Sequence, residues 1–206
     1  MTKIIVILVL MATSLLSAQT DYSENMQKAF ALWEAGKNTE ASAVFERIAS
    51  VEKENWLPNY YIALVNTTTA FETKDKDKVS NLLAKAQNVM DKELALNPEN
   101  AELLVLQAMI HTAWIVFDPM TNGMKLSGKV MELYGKAEEI APNNPRVVLN
   151  KAEFEIGSAQ FFGTDIQPLC AQIAKSIELF ATFKPETAFS PNWGLERAQE
   201  AAKNCK

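Results

Sequence analysis

The sequence predicts an all-α stack of helical hairpins, on three observations. An asparagine is followed eight residues later by an alanine at Asn55 and Ala63, at Asn100 and Ala108, and at Asn144 and Ala152, so the mark recurs every 44 to 45 residues. Between the marks, apolar residues fall at the i, i+3, i+4, i+7 spacing of one helix face. Turn signals at Gly36, Asn97-Pro98, Ala141-Pro142 and Gly163 separate these runs. A fixed period of this length belongs to repeats whose units each bury their apolar face against a neighbour.

The first hairpin begins at Asp21. Met26, Ala29, Phe30 and Trp33 make one stripe, Gly36 stops the helix, and Ala41, Val44, Phe45, Ile48 and Ala49 make the return stripe. In this hairpin Ala29, Leu32, Gly36, Ala41, Phe45 and Ile48 resemble the small-and-large pattern of a tetratricopeptide repeat (TPR). That resemblance implies a right-handed superhelix of antiparallel helix pairs, about four hairpins and a C-terminal capping helix here. It also implies a concave groove that holds a protein or peptide partner.

The second hairpin opens at Asn55-Trp56-Leu57-Pro58, with proline in the first turn where its missing N–H is not needed. It runs through Tyr60, Tyr61, Ile62, Leu64, Val65 and Phe71, breaks at Glu72–Lys78, and returns through Val79, Leu82, Leu83, Ala86, Val89, Met90 and Leu94. The third is apolar on nearly every side from Leu103 to Phe117, which predicts a central helix covered all round. Asp118–Gly123 reads as the turn, and Leu126, Val130, Leu133, Tyr134, Ala137 and Ile140 form the return stripe. The fourth carries Val148, Leu149, Ala152, Ile156 and Ala159, then Asp165 as the expected N-cap of a last return helix with Ile166, Leu169, Cys170, Ile173, Ile177 and Phe180 inward. Lys184-Pro185 and Ser190-Pro191 are turn signals, and a short helix from Trp193 to Asn204 closes the stack, as the end of a solenoid requires. From Asp21 to Lys206 the chain also resembles uncharacterised exported TPR-like proteins of bacteria, through Asn55-Trp56-Leu57-Pro58, Ala141-Pro142-Asn143-Asn144-Pro145-Arg146 and Pro191-Asn192-Trp193-Gly194.

Residues 1–18 read as a signal peptide, with Lys3 before the apolar run Ile4–Ala12 and a small-residue exit at Ser17-Ala18-Gln19. The run is short for a hydrocarbon layer about 30 Å thick, and no comparable run follows. The expectation is a periplasmic or secreted domain, residues 19–206, with no stable membrane insertion after cleavage. The net charge of −5 is spread without a basic stripe, which sets nucleic acid aside as a partner. Cys170 and Cys205 are the only cysteines, and an oxidising compartment allows a bridge between them, with two buried thiols as the alternative.

Catalysis finds little material. His111 is the single histidine, inside an apolar run and beside no nucleophile motif, and the chain lacks the four close Cys or His ligands of a structural zinc site. Glu138 with Glu139, or Glu153 with Glu155, point in different directions on a helix and read as solvated faces. No catalytic residue, metal or cofactor is expected. By analogy with TPR grooves, Phe30, Trp33, Tyr60, Leu64, Thr67, Met109, Thr112 and Glu153 would face the partner. The expected function is an exported, non-enzymatic scaffold holding a protein or peptide in the cell envelope. The alternative is a small-molecule or glycan-binding protein with a pocket between the third and fourth hairpins, lined by Trp114, Phe117 and Phe161.

Overall fold

The computed structural model describes residues 21–205, so the expected leader, 1–18, lies outside it. Among the described residues there are nine helices and no strand. Helix α1 covers 21–34. It is followed by α2 (Asn38–Val51), α3 (Trp56–Phe71), α4 (Lys76–Leu96), α5 (Ala101–Phe117), α6 (Pro119–Ile140), α7 (Pro145–Phe162), α8 (Gln167–Thr182) and α9 (Leu195–Lys203). Four antiparallel pairs stack in chain order, α3 against α5 and α5 against α7 forming an inner layer, and α9 lies on α8 as a terminal cap. This is the stack of helical hairpins that the periodicity predicts, with the TPR-like form that the resemblance implies.

The repeated asparagine is the N-cap of each inner helix. The Oδ1 atoms of Asn55, Asn100 and Asn144 accept from the N–H groups of Leu57 (3.0 Å), Glu102 (3.0 Å) and Arg146 (2.9 Å). Each cap satisfies a donor that the first helical turn leaves unpaired. The paired alanines lie two turns further in and are all buried, Ala63 and Ala108 in the main core and Ala152 in the cluster that α7 shares with α8 and α9. Helix α5, flanked on both sides, buries every residue from Leu103 to Ile110. One apolar core runs from Met26 to Phe154, and a smaller cluster of Leu149, Ala152, Ile173 and Ala198 joins α7, α8 and α9.

Four boundaries differ from the sequence reading, the first at the expected break Glu72–Lys78, where α4 already starts at Lys76 because Asp75 caps it, accepting from Lys78 N–H at 3.0 Å. The expected turn Asp118–Gly123 is mostly helix, because α6 starts at Pro119 and Asp118 caps it, accepting from Thr121 N–H at 3.1 Å. Proline at the first helical position loses no hydrogen bond, so a run that looks like a loop opens a helix. Asp165 sits one residue before the N-cap position, which Ile166 fills without a side-chain cap, although its Oδ1 still accepts from Gln167 N–H at 3.0 Å. The last helix begins at Leu195 and not Trp193, because Gly194 turns the chain at φ +115°. Cys170 and Cys205 are joined by a disulfide with their Cα atoms 5.6 Å apart, which ties the start of α8 to the end of the chain. No described helix is long and apolar enough to cross a membrane.

Candidate functional site

The inner layer is the face on which a TPR solenoid would receive a partner, and here the chain covers it with its own residues. After α8, residues 183–194 carry no helix and run back across the inner helices before α9 begins. Phe189 stacks on Phe30 of α1 (centroids 6.1 Å apart) and meets Tyr22 edge-on at 5.6 Å. The Tyr61 hydroxyl donates to the Phe189 carbonyl at 2.8 Å, and the Trp193 indole N–H donates to the Tyr60 hydroxyl at 2.8 Å. Phe183 lies over the Arg146 guanidinium, 4.4 Å from its centre. The segment acts as a strap that touches α7 first, at Phe183, and then α1 and α3, at Phe189 and Trp193.

The residues expected to form an open groove are therefore mostly interior. Tyr60, Leu64, Thr67 and Met109 are at most 3% exposed, and of these Tyr60 also accepts a hydrogen bond from Trp193 of the strap. Phe30 and Trp33 are half-buried against Tyr61. Thr112 spends its hydroxyl on the Ala108 carbonyl at 2.8 Å, and Glu153 is paired with Arg197 of α9. The structure brings Phe30, Trp33 and Tyr60 into one aromatic cluster under the strap and leaves Met109 and Glu153 apart from it.

Beneath the strap lies a buried ion pair. Arg146 is fully buried and reaches Glu102 on the neighbouring inner helix, Nε at 2.9 Å from both carboxylate oxygens and Nη2 at 2.7 Å from Oε1. Asn144 Nδ2 also donates to Glu102 Oε1, at 2.6 Å. Burial, reinforced by the Glu102 charge, pushes the Tyr60 hydroxyl well above its ordinary pKa, so it stays protonated. Loss of a proton from the aromatic cluster is thereby disfavoured at physiological pH.

A second feature is open to solvent. Between α6 and α7 runs a groove of about 530 Å³, within the usual range of small-molecule sites, about 300–1,000 Å³. Its lining combines small residues, Ser127, Gly128, Ser158 and Ala159, with the apolar side chains of Met131, Phe154 and Phe162, of which Phe154 is buried and Phe162 is 76% exposed. Glu155 is the one charged side chain among the lining residues. Met120 (81% exposed) and Met124 (96%) continue the Met131 side of α6 into solvent. The expected wall of Trp114, Phe117 and Phe161 does not form: Trp114 and Phe117 pack on the main core and Phe161 points to solvent, 64% exposed. The signal that could have found this groove is the spacing of Met120, Met124 and Met131 around Gly128 on one side of α6.

His111 lies outside both features. It contacts Gln107 at 3.3 Å, and burial, with the Lys129 charge added, lowers its pKa. Among the described residues no group of three or more His, Cys, Asp or Glu side chains could hold a metal ion.

The architecture places the chain in the class of TPR-like α-solenoids, and two solved structures share its fold. The HusA haemophore from Porphyromonas gingivalis superimposes with a TM-score of 0.78 at 24% identity, covering 90% of this chain and 92% of that one. A thermophilic TPR protein of Thermus thermophilus superimposes with a TM-score of 0.59 at 10% identity, covering 89% and 98%. No family model and no curated protein matches the chain.

Proposed function

We propose that this protein is an exported, non-catalytic binding scaffold whose ligand is a flat apolar molecule of the tetrapyrrole class, haem or a close analogue, held in the groove between α6 and α7. The observation that carries this reading is the composition of α6. It contains Gly123, Gly128 and Gly135, none of which has positive φ and none of which would bring an added Cβ within 4 Å of a neighbour. Each costs the helix about 1 kcal/mol relative to alanine. Neither a turn nor a close packing contact accounts for that cost. At Gly128 the missing side chain leaves a flat helix face beside Met131 and Phe162, which is the surface a planar ring needs in order to stack.

The likeness to a protein named as a haemophore supplies the ligand class, and the lining chemistry fits its macrocycle. The walls are thioether and aromatic, soft and polarisable groups that suit a conjugated ring. Neither His111 nor a cysteine reaches the groove, so recognition rests on apolar contact with the ring. A glycan would want more polar partners than Ser127, Ser158, Thr164 and Glu155 offer. A protein or peptide partner, implied by the TPR resemblance, has its customary inner face covered by the strap, which favours the small-molecule reading.

Titration with haemin, followed by the shift of its main absorption band, tests the proposal. Saturable binding is expected, and Gly128→Leu is expected to weaken it at least about tenfold, or about 1.4 kcal/mol. An added Cβ there meets nothing within 4 Å, so the variant is expected to keep its fold, which circular dichroism checks. Absence of binding, or equal binding by Gly128→Leu, refutes the assignment.

A further inference from the structure

We propose that the cleft between α2 and α4 binds a small zwitterion, an α-amino acid with an aliphatic side chain, and that Glu93 receives its ammonium group. This inference is independent of the tetrapyrrole reading, which concerns the α6–α7 groove.

Helices α2 and α4 both pack on α3, and between them lies a cleft of about 440 Å³ with Asn59 and Ile62 of α3 in its lining. That volume is within the usual range of small-molecule sites. The α4 side presents Val89, Lys92, Glu93 and Leu96, at the i, i+3, i+4, i+7 spacing of one helix face. A stripe turned only to the core would be apolar, and a solvated one polar. This one mixes the two, as a surface that meets an amphipathic ligand would.

Glu93 is the anchor. Carboxylates are almost never buried unless they are paired. Glu93 is 3% exposed, and among the described residues it forms no ion pair with lysine or arginine. Its partners are two neutral amides: Asn59 Nδ2 donates to Oε1 at 2.6 Å, and Asn97 Nδ2 donates to Oε2 at 3.4 Å. A carboxylate offers about four lone-pair positions, so about half of its accepting capacity is unspent. The other carboxylate in the lining, Glu46, is already engaged by Lys85 at 2.6 Å and by the Ser42 hydroxyl at 3.2 Å.

The remaining lining fixes the rest of the ligand. Lys53 and Lys92 border the same cleft, are exposed, and form no ion pair among the described residues. A purely cationic ligand would be repelled by these two ammonium groups, and a purely anionic one by Glu93. A zwitterion answers both signs at once. Ile62, Val89 and Leu96 give the cleft its apolar side, and Leu96 is 71% exposed. An aliphatic side chain laid on Leu96 removes apolar surface of both partners from water.

Calorimetric titration of the full chain with L-leucine, leucinamide and isocaproate tests the assignment. Leucinamide lacks the carboxylate and isocaproate lacks the ammonium group. Saturable binding of leucine is expected, with each analogue weaker by at least about tenfold, since each leaves a charged group of the cleft without its partner. Glu93→Gln keeps the side-chain size and an acceptor oxygen for Asn59. It is expected to weaken leucine at least about tenfold and to leave isocaproate unchanged. Lys53→Gln/Lys92→Gln alters two exposed side chains, so its fold is secure whatever Glu93→Gln does to folding. That variant is expected to weaken leucine and to leave leucinamide unchanged. Absence of leucine binding, equal binding of the three compounds, or leucine binding indifferent to either folded variant overturns the proposal.

Discussion

Replacing Glu102 with alanine isolates the ion pair at the centre of the inner layer. Arg146 is enclosed by protein: its side chain is 1% accessible to water, and three of its hydrogen bonds go to Glu102. Its Nη1 already lacks a partner, so no alternative acceptor stands ready. Removing the carboxylate strands a guanidinium charge in the interior, a loss of about 3–5 kcal/mol. Arg146→Met is expected to cost less, because the Glu102 side chain retains 12% exposure and can reach water. The double variant removes both charges and leaves a methionine in the space under Phe183, so it should be more stable than Glu102→Ala alone. Urea unfolding followed by circular dichroism gives all three values, and the coupling between the two sites should exceed about 2 kcal/mol. A loss below about 1 kcal/mol for Glu102→Ala, or additive single effects, would refute the claim that Arg146 depends on Glu102 for its charge partner.

Other perturbations read out separate parts of the fold. Asn100→Ala should cost about 1 kcal/mol as a lost N-cap, and Asn144→Ala more, because that side chain also donates to Glu102; thermal melts rank the two. Gly194→Ala should destabilise by about 1–3 kcal/mol, since φ is +115° and the added Cβ would stand 2.7 Å from the Phe180 ring, whereas Gly128→Ala should stabilise by a fraction of about 1 kcal/mol; the same melts give opposite signs. The His111 pKa is lower in the folded chain than in the unfolded one, so as pH falls through the ordinary histidine range the unfolded state binds the proton first and stability drops. Comparing wild type with His111→Gln between pH 8 and pH 5 (about 1.5 units either side of the ordinary value) should show that component of the slope disappear.

The elements legible in the sequence are those whose cause is local. An N-cap acts within three residues of itself, so Asn55, Asn100 and Asn144 announced the inner helices correctly. The all-round apolar run of α5 likewise reported its central place, since no exposed face had to be reserved. The strap left no such trace. Phe189 meets Tyr61 across 128 residues and Trp193 meets Tyr60 across 133, and neither partner carries a pattern that points to the other. The inner-face residues taken from the TPR resemblance were placed on the right helices, but the resemblance has no term for a segment that returns to cover them. The α6–α7 groove was obscured by one boundary. With Asp118–Gly123 read as a turn, Met120 falls in a loop, and the row it forms with Met124 and Met131 is broken.

The strap and the groove answer to different physical demands, which is why one chain can carry both. A four-pair solenoid leaves the aromatic residues of its inner layer with no further repeat to cover them, and Phe30, Tyr60 and Tyr61 together would present a large apolar patch to water. Covering that patch with residues 183–194 removes the exposure, and the disulfide closes the loop that carries this segment. The apolar surface between α6 and α7 receives no such cover, although its Met and Phe side chains would gain as much from burial. A fold that uses twelve residues to close one apolar face and leaves another open, with a glycine among its lining residues, separates stability from binding. Changes to Phe189 or Trp193 should therefore alter melting and leave haemin binding intact, while Gly128→Leu should do the reverse.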